Sequence, residues 1–481
     1  VKEPALSLGR FATLGLSVGF IAVGSTLAFA AETTKTAPTY HKDVERIIQK
    51  NCQDCHRPGQ VAPFSLLTYE QAKKRSNDLA NVATDRRMPP WPADHKFGGP
   101  FRDARVLSND DLKTIQDWVA NGSPEGDKAD APPARTFSSE WPLGNPDLLL
   151  TMPEPYELAA SGEDDFRVFV LKTNFNEDRW IRAVDFKPGN RAVVHHILAG
   201  IDSSGEGRKL DAADPKPGYH ALGGFGGSVR VRNLLPIWTP GAMARFTNAE
   251  TGYFLPKGAD ILIQMHYHKS GKPEKDASSV AIYFSKEPLS KEIRTGFVFP
   301  NISKEQAEAV QRKMMLQSLL KRQRPTFDDF LRDILIIPAQ TTNYEIKAST
   351  KSGSSVMGRP FARDVMITAV MPHMHWLGRN FTFHAVKPDG SKIELIRINN
   401  WDFNWQGTYA FEKPVILPKG SWLEMEAHFD NSDKNPSNQN KPAKEVRWGE
   451  GTNDEMCIGI FEFVFLENAK PGDATRKVAG R

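Results

Sequence analysis

Cysteine is nearly absent, with three in 481 residues. So few thiols in a chain this long exclude a disulfide-stapled scaffold. Two of them, Cys52 and Cys55, fall in one short motif, which leaves Cys457 alone. A surplus of one charge is also lacking. The 62 Lys and Arg against 58 Asp and Glu give a net +4 with no long basic run, which speaks against a nucleic-acid partner. Beyond the first thirty residues no apolar run is long enough to span a bilayer. What remains is globular composition, 40% hydrophobic and 25% charged, over a length suited to roughly two to four domains.

The first thirty residues stand apart. Lys2 and Arg10 precede an apolar stretch over residues 11–29, and Ala28-Phe29-Ala30 reads as a small-residue cleavage site. This pattern predicts a signal peptide over 1–30, an exported, periplasmic mature chain starting near Ala31, and a membrane anchor only if the segment stays uncleaved. Residues 38–124 read as helical. Val44, Ile47 and Ile48 form a stripe, Thr68 and Gln71 a capping box, and Ser108 caps a helix with Leu112, Ile115 and Val119 on one face, ending at Gly122. A polar, Pro-containing linker fills 125–140. From there the texture is that of strands. Residues 259–268 alternate, with Ile261, Ile263 and Met265 on one face and Gln264, His266 and His268 on the other. Recurring Pro-Lys-Gly and Pro-Asp-Gly turns complete an all-β pattern over 141–300 and 336–470. A helical insertion is expected between them, at 303–334, where Val310, Met314, Met315, Leu319 and Leu320 keep helical spacing.

Cys52-Gln53-Asp54-Cys55-His56 is a C-x-x-C-H motif. Two thiols at this spacing attach a haem covalently, and the adjacent imidazole supplies one axial ligand. A redox C-x-x-C would want a βαβ setting, and half a zinc site would want a second ligand pair nearby. Neither accompanies the motif. Met88, in the Pro-rich stretch Arg86-Arg87-Met88-Pro89-Pro90-Trp91-Pro92, is the expected second axial ligand, with His95 as its rival. The segment resembles small class I cytochromes c, whose methionine ligand also follows on a Pro-rich loop. The resemblance implies an electron carrier with one covalently bound haem c.

Six of the twelve histidines lie in three tight groups in the β region: His195-His196, His266-Tyr267-His268 and His373-Met374-His375. Imidazoles at i and i+2 on a strand point to one side, as metal chelation needs. Adjacent His195 and His196 would point to opposite faces of a regular strand, so a shared ion requires a local distortion. His220, His384 and His428 have no partner at ligand spacing and read as structural.

These groups resemble the copper type II, ascorbate-dependent monooxygenases, in scattered motifs over roughly 190–465. The His195-His196 pair, Gln264-Met265-His266-Tyr267 for Q-x-H-Y, His373, His375, Leu377 and Gly378 for H-x-H-x-L-G, and Glu455-Met456-Cys457 for E-M-C occur in the family's order. The resemblance implies two copper ions. An electron-transfer copper falls to His195, His196 and His266, with His268 competing for or supplementing His266. An oxygen-activating copper falls to His373, His375 and Met456, which makes these three the catalytic set. In the peptide-amidating members a carboxylate-binding trio lies at positions matching Met371, Ile458 and Ile460 here, so a small or apolar, uncharged substrate is expected.

The expected architecture is therefore a small all-α cytochrome c domain followed by two all-β antiparallel sandwich domains of jelly-roll type. The expected activity is hydroxylation of a C–H bond with O2, with an external donor, a small reductant or redox protein, feeding electrons through the haem. The alternatives are a non-catalytic periplasmic redox or copper-handling protein, and an oxidase that makes peroxide.

Overall fold

The computed structural model of the chain describes residues 37–137, 141–301, 312, 335–351, 359–451 and 453–466. The expected signal peptide, and all of the expected 303–334 insertion except Arg312, lie outside the described residues. Among the described residues no helix is long and apolar enough to cross a membrane.

Among the described residues most helices lie early in the chain; a further one, Glu206–Ala213, lies within the β region. Tyr40–Val44 and Glu45–Asn51 run up to Cys52, followed by Tyr69–Lys74, Ser76–Thr84 and Asn109–Ala120. Their ends follow the local chemistry. Thr68 accepts the Gln71 amide and the Gln71 side chain accepts the Leu67 amide, while Ser108 accepts the Asp111 amide. The buried stripes meet in one small core, in which Tyr40, Val44, Ile48, Leu79, Ile115 and Trp118 pack together.

The stretch between these helices departs from the helical reading of 38–124. Ala93–Gly98 is a strand, antiparallel to Lys392–Ile398, and it edges a five-stranded sheet far along the chain. Pro89, Pro90, Pro92 and Gly98-Gly99-Pro100 break any helix there. Phe97 then packs edge-on to His384, and Phe101 against Phe411 and Tyr409.

The rest of the described chain is mostly antiparallel β-sheet in two sandwiches. In the first, the strand order is Tyr219–His220, Asp165–Leu171, Asp260–Tyr267, Val194–Asp202, Val231–Leu234. This sheet shares a core with the sheet built on Arg179–Lys187, Thr251–Leu255 and Ser279–Phe284. Ile261, Ile263 and Met265 enter that core as the alternation requires. In the second, Ala93–Gly98, Lys392–Ile398, Gly378–Val386, Trp422–Asn431 and Thr341–Ser349 face a sheet of Arg294–Val298, Cys457–Phe465, Val365–Met374 and Tyr409–Leu417. The chain changes sandwich at the buried Ile293. Lys291–Glu292 pairs with the first sandwich and Arg294–Val298 with the last strand of the second.

Candidate metal centres

Val194–Asp202 and Asp260–Tyr267 are neighbouring strands with His196 opposite His266 and Val194 opposite Tyr267. His195 is therefore the extra residue of a β-bulge, which is the distortion that the adjacent histidines need. The three rings converge on one point. Nδ1 of His195 is 3.2 Å from Nδ1 of His196 and 3.2 Å from Nδ1 of His266, and the remaining edge is 3.4 Å. Three nitrogens bound at about 2.0–2.1 Å to one ion stand about 3.3–3.6 Å apart, so this group fits a metal with little movement. His266 turns its other nitrogen, Nε2, to Asp164 at 3.0 Å, which fixes the ring with Nδ1 inward. Phe166 stacks on it at 4.2 Å. Asp164 also holds Nδ1 of the exposed His268 at 2.9 Å, so His268 supports this centre from behind rather than joining the three. Burial lowers His195 to about 3 and His196 well below the ordinary imidazole value, with neighbouring rings adding to the effect. Both stay neutral, the form that binds metal.

The second group lies where the central strand of the other sandwich ends. Val365–Met374 pairs with Cys457–Phe465 so that Met371 opposes Ile460, His373 opposes Ile458 and Met374 opposes Cys457. Continued one step, this register sets Met456 opposite His375, so one face carries Met371–Ile460, His373–Ile458 and His375–Met456. Both imidazoles give Nδ1 to an oxygen, His373 to Gln406 Oε1 and His375 to the Asp454 carbonyl at 3.0 Å. That leaves Nε2 of each as a donor, with the buried Met456 thioether as the third donor that the strand register offers. Imidazole and thioether together suit copper. Burial lowers His373 to about 4 and His375 well below the ordinary imidazole value. Glu455 ties the motif together from below, accepting the amides of His375, Leu377 and Met456.

One loop, absent from the reading of the sequence, joins the two groups. Trp401 Nε1 donates to the His375 carbonyl at 3.0 Å. Phe403 stacks on His195 at 5.0 Å and meets His375 edge-on at 5.5 Å, placing one ring against both centres. Gln406 holds His373. The aromatic run Trp401-Asp402-Phe403-Asn404-Trp405-Gln406 between two strands was its signal in the sequence. His220 is exposed, His428 pairs with Glu426, and His384 packs on Phe97.

Cys52 and Cys55 are free thiols in the turn after the Glu45–Asn51 helix, both pushed up by burial. His56 Nδ1 lies 3.1 Å from the Phe64 carbonyl, which leaves Nε2 for an axial bond. Nε of Arg57 and Nε of Arg105 are buried near this motif with no hydrogen-bond partner among the described residues, an arrangement suited to the carboxylates of a haem. These residues fit the group. Half-buried Met88 follows the Ser76–Thr84 helix, its amide on the Val82 carbonyl. His95 is exposed on the Ala93–Gly98 strand. A cavity of about 120 Å3 lies between the Pro90–Pro92 loop, the loop at Trp238 and the loop at Trp405.

Residues 330–466 match the copper type II ascorbate-dependent monooxygenase family, C-terminal domain. The match supports that family, and with it copper and the chemistry of a monooxygenase, an oxidoreductase. No curated protein matches the chain. Among solved structures, the VP2 subviral particle of infectious bursal disease virus is similar at 10% identity, covering 70% of this chain and 80% of that one, with a TM-score of 0.16. A two-domain protein of unknown function from Bacteroides fragilis covers 63% and 85% at 7% identity and a TM-score of 0.17. Procruciferin from Brassica napus covers 69% and 86% at 10% identity and 0.13. TM-scores this low carry no argument.

Proposed function

We propose that the chain hydroxylates a C–H bond of a small or apolar, uncharged substrate with O2, at a copper held by His373, His375 and Met456. A second copper is held by His195, His196 and His266, and a haem is attached at Cys52 and Cys55 with His56 and Met88 as axial ligands. The observation that carries this reading is the pair of histidine groups facing one another across Phe403, one offering Nδ1 and the other Nε2. Bound copper supplies one-electron and oxygen chemistry.

The protein's share is orientation. Asp164, Gln406 and the Asp454 carbonyl each fix a ring so that one nitrogen is free. Phe403 places its ring against His195 of one group and His375 of the other. The face continuing from His373 and Met456 is apolar, with Met371, Ile458 and Ile460 as its next side chains. A carboxylate placed there meets these apolar side chains and loses its hydration, at a cost on the order of several kcal/mol. One oxygen atom entering a product consumes two electrons from an outside donor, and a c-type haem passes them singly. Export by the 1–30 segment sets this chemistry in the periplasm.

The test is metal and haem analysis followed by oxygen uptake against a panel of small C–H substrates. Labelled O2 should place one labelled atom in the product, and Met456→Ala should abolish this while the His195, His196 and His266 site still binds copper. Peroxide without labelled product identifies an oxidase. Absence of substrate-dependent uptake identifies a redox or copper-handling protein. Efficient turnover of a peptidylglycine overturns the substrate class.

A further inference from the structure

We propose that the segment Trp238-Thr239-Pro240-Gly241 is the junction through which electrons leaving the C-x-x-C-H motif reach both metal centres. The inference rests on the reading of the motif and the two histidine groups given above, and it names the path between them. Three connections meet at these four residues. The first comes from the motif. Arg105 lies with Nη1 3.9 Å from Cys55 Sγ and donates through Nη2 to the Gly241 carbonyl at 3.3 Å. The second leads to the first centre. Trp238 and Ile197 exchange both backbone hydrogen bonds, at 2.9 and 3.0 Å, and Ile197 is bonded directly to His196. The third leads to the second centre. The Thr239 hydroxyl donates to the Gln406 carbonyl, and the Gln406 side chain holds Nδ1 of His373.

Electron tunnelling weakens less along bonds and hydrogen bonds than across open space. A short segment that touches all three sites by such links is therefore the favoured route. The segment is also held in place. Trp238 and Thr239 are buried. Gly241 has φ +82°, and a Cβ there would stand 2.6 Å from the Trp405 ring, so the turn tolerates no larger residue without displacing that ring. The Arg191 guanidinium covers the Trp238 ring at 5.8 Å. With haem and copper bound, each transfer would move one electron from the reduced haem to one oxidised copper, with no bond formed or broken, and the external one-electron donor would restore the haem.

A merely structural role for Arg105 would be to dock the helical segment on the sandwich, so two variants are needed. Arg105→Leu cuts the shared entrance. Thr239→Val keeps the side chain's shape, removes only the hydroxyl, and touches only the arm to His373. The full chain, loaded with haem and copper, is mixed with a one-electron reductant without oxygen. Haem reoxidation is followed by absorbance, and each copper by freeze-quenched electron paramagnetic resonance. In Arg105→Leu both coppers should be reduced about tenfold or more slowly, with the copper content unchanged. In Thr239→Val the copper at His195, His196 and His266 should fill at the wild-type rate, and the one at His373 and His375 about tenfold or more slowly. Should Arg105→Leu fail to load haem, Thr239→Val decides alone. Wild-type rates for the second copper in Thr239→Val overturn the junction and leave the wider reading standing. A wild-type protein without haem, or whose haem reoxidation is independent of copper, overturns the wider reading and the junction with it.

Discussion

Removing the Glu455 carboxyl should separate the two centres in one experiment. Its two oxygens accept three backbone amides: His375 and Met456 on Oε1, Leu377 on Oε2. The side chain is fully buried, and burial pushes its carboxyl up to about 8 while the three amides pull the other way. In Glu455→Ala all three amides lose their acceptor. Each buried amide left alone costs roughly 1–3 kcal/mol, so the sum is about 3–9 kcal/mol, with relaxation favouring the lower end. Glu455→Gln keeps an oxygen for His375 and Met456 and sets an NH2 against the Leu377 amide, so it should cost roughly 1–3 kcal/mol. With a urea slope of about 1–3 kcal/mol per M, the alanine midpoint should fall by roughly 1 M or more and the glutamine midpoint by less. The metal readout is more specific. Glu455 joins the strand end carrying His375 to the residue before Cys457, so Glu455→Ala should weaken copper at His373, His375 and Met456 and spare the His195, His196 and His266 site. Urea unfolding followed by tryptophan fluorescence, with copper titration of each variant, checks both. An alanine variant that unfolds at the wild-type urea concentration and titrates two coppers normally refutes the reasoning.

Two further outcomes are expected. Haem staining on denaturing gels should vanish in the double variant Cys52→Ala with Cys55→Ala; covalent haem persisting there removes the attachment site from Cys52 and Cys55. The hydrogen bond from the Arg167 guanidinium holds Asp214 down at about 2, from an ordinary value of 3.8. The stabilisation is present in full above pH 3.8 and is lost as pH falls through about 2, because the unfolded carboxyl takes up its proton first. The urea-midpoint gap between wild type and Asp214→Asn should therefore be flat near neutrality and close in acid, and a gap that widens on acidification contradicts the assignment.

The sequence by itself determined what is local. Caps at Thr68 and Ser108 and the alternation at 261–265 follow from chemistry within a few residues, and each is formed by groups close in the chain. The i, i+2 spacing of His373 and His375 was legible for the same reason, since strand period alone puts both rings on one face. Chain-distant events were not legible. The bulge that brings His195 beside His196 exists because Val194–Asp202 slips one residue against Asp260–Tyr267. Asp164, 102 residues before His266, has no sequence spacing that marks it as that ring's partner. Phe403 reads as one aromatic among many until folding lays it between His195 and His375. The strand Ala93–Gly98 inside a stretch read as helical is the same case. Its proline and glycine neighbours forbid a helix, but only an open edge at Lys392–Ile398 makes it a strand. Local propensity chooses the donor atoms, and pairing across the sandwiches decides which of them meet.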